Sequence, residues 1–160
     1  MKTKTYFWIF GVLIVLIVLF VVLQSNKVSS FETVKGYRGD ITVYKSMSCG
    51  CCGVYYNYFK GKGNSNAQVV NAGSMESIKV QYGIPPEMKS CHTTVIGDYF
   101  IEGHIPLSAV EKLLQEKPDI KGIAMPGMPS GSPGMPGAKS GDFIVYAVQK
   151  DGGIYEFMRI

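Results

Sequence analysis

Three of the four cysteines in this 160-residue chain stand within four positions: Cys49, Cys51 and Cys52 in Ser48-Cys49-Gly50-Cys51-Cys52-Gly53. The fourth is Cys91. No other feature restricts the fold as strongly. A bridge between the neighbours Cys51 and Cys52 strains the peptide, and Cys49 and Cys51 are also too close for easy pairing. Two simultaneous disulfides would need distant partners, and only Cys91 is distant. A framework of structural disulfides does not account for the cluster. Burial as small apolar residues fits no better, because Gly50 and Gly53 let the backbone turn so that adjacent side chains converge. Ligand loops need that freedom.

Upstream, Tyr6 to Leu23 is a run of 18 residues without a charge. At about 1.5 Å per residue it reaches roughly 27 Å, close to a hydrocarbon core of about 30 Å. A secretory signal has a shorter apolar run and then small residues at a cleavage site, a pattern that Leu23-Gln24-Ser25-Asn26 does not match. The expectation is an uncleaved anchor in residues 1–30, with Val28 to Tyr37 serving as a short tether. Lys2 and Lys4 bias the N-terminus to stay inside, which sends residues 31–160 across the cell membrane as a single-pass, extracytoplasmic (periplasmic) domain. With Lys2, Lys4 and Lys27 set aside, 13 basic residues face 12 acidic ones. Such a balance lacks the basic face of a nucleic-acid binder.

Along the domain, Asp40–Ser46 alternates in the manner of a strand and ends at the cysteines. Val54, Tyr55, Tyr58 and Phe59 recur at helical spacing, and Gly61 and Gly63 are expected to stop that helix. Ala67–Ala72 reads as a second strand, and Ser74 caps a helix that ends at Gly83 before Pro85-Pro86. His92–Ile105 gives two β-rich runs around Gly97-Asp98, a hairpin. Pro106 opens a helix with Ala109, Val110, Leu113 and Leu114 on one face. Residues 123–141, rich in Gly, Pro, Ser and Met, read as a long loop, and two closing runs form a hairpin across Lys150-Asp151-Gly152. The order β-α-β-α-β-β-α plus a C-terminal β-hairpin is that of an α/β, thioredoxin-like fold. It places the cysteines at a helix N-terminus, where the dipole favours thiolate.

Two chemistries compete for these thiols. Dithiol exchange would use Cys49 and Cys52, which have C-x-x-C spacing, but the inserted Cys51 invites scrambling. A metal site would use all four cysteines, because soft thiolates suit Cu(I) and, less well, Zn(II), Cd(II) or an iron–sulfur cluster. Thiolates bridge ions, so adjacent cysteines favour several ions over one. His92 follows Cys91 and His104 closes the predicted hairpin at the same end, which in a thioredoxin-like sheet faces the cysteine loop. His104 is the preferred imidazole ligand, with His92 second. Met125 and Met128, each before a proline, are either further thioether donors or apolar packing for the loop.

The stretches ITVYKSMSCGCCG, YGIPPEMKSCHTTVIGDYFIEGHIP and KPDIKGIAMPGMPSGSPGMPG resemble the CopG-type C-x-C-C family of copper-resistance clusters. The likeness runs from Asp40 to Ile160. It implies an exported thioredoxin-like protein whose C-x-C-C cysteines, with the later cysteine, bind a multi-copper cluster, and electron transfer between copper states has been considered for that family. Cys49, Cys51, Cys52 and Cys91 match the family's cysteines, and His104 occupies its Glu-Gly-His position. Two features depart from it: the retained N-terminal run and the aromatic stretch Val54-Tyr55-Tyr56-Asn57-Tyr58-Phe59. Relative to thioredoxins, Cys91-His92-Thr93-Thr94 lacks the proline before the third strand that keeps metal from the dithiol.

The expectation is a membrane-anchored Cu(I)-binding protein for copper resistance or trafficking, more a metal-binding or redox protein than a classical enzyme. Its partners would be metal ions, the membrane and copper-trafficking proteins. The alternatives are a thiol-disulfide oxidoreductase and a partner-binding module held together by zinc.

Overall fold

The computed structural model describes residues 11–17, 19 and 31–160. The chain divides into two units, Met1–Ser30 and Phe31–Ile160. In the first, residues 11–17 are helical. Most of the expected anchor lies outside the described residues, and no helix among those described is long and apolar enough to cross a membrane.

The second unit is a mixed α/β fold. Its described elements run α1 (Glu32–Gly36), β1 (Ile41–Lys45), α2 (Gly50–Tyr58), β2 (Gln68–Asn71), α3 (Met75–Gln81), β3 (Thr93–Ile96), β4 (Tyr99–Glu102), α4 (Leu107–Glu116), β5 (Ile120–Ala124), β6 (Ile144–Gln149) and β7 (Ile154–Arg159). The strands form one seven-stranded sheet in the order β2-β1-β3-β4-β5-β6-β7. β1 pairs in parallel with β2 and β4 with β5, and the other neighbours are antiparallel. Tyr44 of β1 stands opposite Thr93 of β3, which in turn stands opposite Glu102 of β4. The end of β1, the start of β3 and the end of β4 therefore meet at one pole of the sheet.

Helices cover both faces, so the central strands bury both of theirs. Ile101 and Ile123 pack with Tyr55 of α2, Phe59 just beyond it, Val34 of α1 and Leu107, Val110 and Leu113 of α4. Their strand neighbours Phe100 and Ala124 face the other way, into a smaller cluster with Ile84, Met88 and Val148. Alternate residues of β4 and β5 thus feed two cores.

Three expectations are corrected here. The tether is in part a helix: Glu111 of α4 accepts from Thr33 N and Val34 N of α1, both at 2.9 Å. The carboxylate caps two of the helix's free amides. Gly61 does not stop α2, which begins at Gly50 and continues through a π-helical turn, Phe59–Gly63. That turn ends at Asn64, whose side-chain amide donates to the carbonyls of Val34 and Tyr37 at 2.7 and 2.9 Å. Gly63 packs closely on α4, since a Cβ there would stand 2.8 Å from Leu107 Cδ2 and push that side chain aside. Finally, β5 occupies part of the span read as loop. Gly122 lets it lie against β4, for a Cβ would stand 2.2 Å from the Phe100 carbonyl oxygen.

Candidate metal centre

The cysteine loop leaves β1 and enters α2 with Cys49 as its cap, where Sγ accepts from Cys52 N at 3.3 Å. Cys51 and Cys52 therefore lie in the first helical turn, with Cys52 buried and Cys51 half-buried. Cys49 and Cys52 are joined by a disulfide, while Cys51 and Cys91 are free thiols. One bridge thus forms, and not the two that a disulfide framework would need. A spacing of three residues at the start of the helix brings the two Cα atoms to 5.4 Å, within the usual range for a bridge. Cys51 Sγ lies 3.5 Å from Cys49 Sγ.

Cys91, at the start of β3, reaches the same place. The four sulfurs all lie within 4.8 Å of one another, and Cys91 Sγ forms a second set with ring nitrogens of His92 and His104 at the same limit. Cys91 belongs to both sets. Its sulfur is 3.0 Å from His104 Nε2 and 3.3 Å from His92 Nδ1. His104 Nδ1 lies 2.7 Å from the Pro133 carbonyl, which can only accept, so this nitrogen carries the proton. In the neutral ring Nε2 is then unprotonated and presents its lone pair to Cys91, the tautomer a metal ligand requires. His92 is fully buried, and its Nε2 finds no partner among the described residues. The nitrogen that faces sulfur is His92 Nδ1, and with His104 Nε2 and the thiols it makes a mixed sulfur and imidazole donor set that fits a metal ion.

Burial, with Cys51 nearby, pushes the Cys91 thiol up to about 11. Burial also lowers His92 well below the usual imidazole range, reinforced by His104 and Lys79. His104 is lowered by burial, in part offset by its bond to Pro133. At neutral pH the metal-free site therefore holds a protonated Cys91 and two neutral imidazoles, so a metal entering it displaces a proton from sulfur and none from nitrogen.

The Gly/Pro-rich loop closes over this pole. Ser90 Oγ donates to the Gly127 carbonyl, and His104 holds Pro133. Gly134, at φ +85°, lies so close to α2 that a Cβ would stand 2.8 Å from Tyr55 N and 3.0 Å from the Cys51 carbonyl oxygen. Met125 is buried in the larger core, where it packs the base of the loop, while Met128 is 53% exposed. The site also includes Tyr55, a member of the aromatic stretch that had no functional account. Its ring centroid lies 4.3 Å from that of His92 and 5.6 Å from that of His104, and its hydroxyl donates to the Ile105 carbonyl at 3.0 Å. The helical spacing of Tyr55 marked a buried face; nothing in it marked histidine neighbours.

Two solved structures of copper resistance protein CopG, forms 1 and 2, are similar to this chain at 34% sequence identity, with TM-scores of 0.69 and 0.70. Each alignment covers 76% of this chain, and 96% and 97% of the respective CopG chain. The chain belongs to the CopG family.

Within this CopG-family chain, residues 88–135 also match a family described as a protein of unknown function, DUF411. That span contains Cys91, His92, His104 and Pro133, the downstream half of the centre, and not the C-x-C-C loop. No curated protein matches the chain.

Proposed function

We propose that this CopG-family chain binds Cu(I), more than one ion at a time, for copper resistance or trafficking. One observation carries the reading: Cys91 Sγ lies within 4.8 Å of three other sulfurs and of two imidazole nitrogens. Cys49, Cys51, Cys52 and Cys91 supply soft sulfur, and His104, with His92 beside it, supplies nitrogen. A shared sulfur and adjacent cysteines favour a multinuclear arrangement, because a thiolate can bridge two ions. Zinc, with its preference for a closed tetrahedron around one ion, is less well served. Similarity to a copper resistance protein supports the choice of metal.

The sheet order β2-β1-β3-β4, with β1 and β2 parallel and β3 and β4 antiparallel, supports reading the domain as thioredoxin-like. The uncharged run from Tyr6 to Leu23 after Lys2 and Lys4 supports a single-pass anchor with the domain extracytoplasmic. The membrane and copper-trafficking proteins would then be its partners besides metal. Titration of the reduced full chain with Cu(I), under anaerobic conditions and against a moderate Cu(I) chelator, tests the function. More than one tightly held ion is expected; release of all copper to the chelator would refute the reading.

The Cys49–Cys52 bridge favours a second reading, thiol-disulfide exchange. Reduction of that bridge by two electrons and two protons yields two thiols, and a dithiol partner would be oxidised in turn. Turnover in an insulin-reduction assay would support this reading over metal handling.

A further inference from the structure

We propose that Glu102, held by Lys79, is the positioning residue that fixes Cys91 and His92 for metal; this rests on the copper-binding reading above. Glu102 ends β4, is fully buried, and is paired with Lys79 of α3, which is itself 5% exposed. Besides Lys79 Nζ, its Oε1 accepts from Ser90 N at 2.6 Å, while Oε2 accepts from Thr93 Oγ1 at 2.6 Å. Ser90 and Thr93 are the residues that flank Cys91-His92. A single carboxylate therefore bolts both ends of the ligand segment to the strand that leads into His104.

The backbone repeats the connection. Gly103 N donates to the His92 carbonyl at 3.0 Å, and Met125 N donates to the Glu102 carbonyl at 3.0 Å. Gly103, at φ +87°, has no room for a side chain, since a Cβ would stand 2.6 Å from the Met125 carbonyl oxygen and 2.8 Å from Ser90 Oγ. Glu102 thus sits at the junction of the β3 start, the β4 end and the base of the closing loop.

Stability alone gives little reason for charges here. A buried ion pair costs desolvation that its attraction barely repays, and an apolar pair of similar volume is often neutral or better. An apolar side chain could not accept from Ser90 N and Thr93 Oγ1 together. Supporting residues of this kind typically alter metal affinity by about 10–100-fold when removed.

The test compares the reduced full chain, the double variant Lys79→Met/Glu102→Gln, Cys91→Ser and the triple combination. Removing both charges avoids leaving a lone ammonium in the interior. Cu(I) affinity is read by chelator competition on folded protein, with folding checked by circular dichroism. The double variant is expected to bind about 10–100-fold more weakly. In the Cys91→Ser background the same two changes should cost clearly less than in wild type, because one of the two ligands they position, Cys91, is gone and only His92 remains. Wild-type affinity in a folded double variant, or an equal loss in both backgrounds, would overturn the proposal.

A second readout needs no metal: the alkylation rate of Cys91, followed by mass spectrometry against Cys51 as internal reference. The double variant should react at least about tenfold faster at Cys91 alone, as a residue freed from a fixed segment does. If the wild-type chain held no copper, the functional reading would fail, and an unchanged Cys91 rate would sink the positioning role separately. Should the double variant not fold, Thr93→Val removes one bond and leaves the ion pair; unchanged affinity and an unchanged Cys91 rate in it count against the proposal.

Discussion

His104 and Pro133, 29 positions apart in sequence, are joined by a bond of 2.7 Å from Nδ1 to the carbonyl oxygen. The same ring turns Nε2 toward Cys91 Sγ, so the closing loop and the sulfur site share one imidazole. Anything that lifts the loop frees His104 to rotate and to change tautomer.

Gly134→Ala is the simplest way to lift it. The new methyl would meet the backbone of α2, and the positive φ disfavours any residue with a Cβ. A loss of about 1–3 kcal/mol in unfolding free energy is expected, with Cu(I) affinity reduced about tenfold. Urea denaturation and chelator competition on the same preparation check both effects.

Metal uptake should release protons. The Cys91 thiol stands at about 11 in the metal-free protein, so below that pH the empty site holds a proton which a bound thiolate lacks. Raising pH therefore favours the loaded state, by about tenfold in affinity per pH unit for each proton displaced. The histidines, lowered by burial, are already neutral and add no slope near neutrality. Competition titrations between pH 6.5 and 8.5 should show a steep rise in wild type and a slope shallower by about one proton in Cys91→Ser. A flat wild-type profile would contradict the assignment.

Glu111, whose partners are Thr33, Val34 and Gln115, offers a control outside the candidate metal centre. Burial alone would raise its carboxyl, but the bonds from Thr33, Val34 and Gln115 outweigh that and hold it below the usual value of 4.5. Its contribution to stability is fully present above the unfolded value and is lost as pH falls through the lower folded one. Glu111→Ala should destabilise by about 1–2 kcal/mol at pH 7, with the gap to wild type closing in acid. Copper affinity at pH 7 should not change.

Oxidation state should set capacity. With Cys49 and Cys52 bridged, Cys51 and Cys91 are the remaining thiols. The untreated, oxidised chain is expected to take up less Cu(I) than the same chain after reduction, and thiol counts should rise by two on reduction. Equal copper stoichiometry in the two forms would mean that Cys49 and Cys52 are not ligands.

Tyr55→Ala should remove the wall behind both imidazoles. A cost of about 3–5 kcal/mol in stability is expected from the lost aromatic volume. Tyr55→Phe keeps the ring and gives up one bond to Ile105, at about 1 kcal/mol, with metal binding retained.

Much of this was legible in residue order. The strand before the cysteines, the hairpin around Gly97-Asp98 and the apolar face of α4 carry strong local patterns, and each forms near its expected place. The convergence of Cys91, His92 and His104 followed from hairpin geometry, because His92 opens one strand and His104 leaves the next. β5 was hidden for the opposite reason. Ile120–Ala124 is largely buried, so it has no alternation, and Gly122 in its centre weakens the strand pattern while letting it lie close to Phe100. Met125, for which thioether ligation and loop packing were both open, lies buried in the larger core. Glu102 and Lys79 were invisible because each is an ordinary surface residue type until a long-range partner draws it inside.

The dispersal of the donors has a bearing on how the protein is made. Cys91 and His104 are 13 positions apart, and the cysteine cap lies a further helix–strand–helix upstream. On the copper-binding reading proposed above, a chain made only as far as α2 would offer metal the Cys49–Cys52 loop alone, and the donors would be gathered in one place once the sheet has closed through contacts of high sequence separation. On that reading full occupancy would be a certificate of finished folding, issued late, and a chain stalled before β3 and β4 pair would be recognisable by its incomplete metal load.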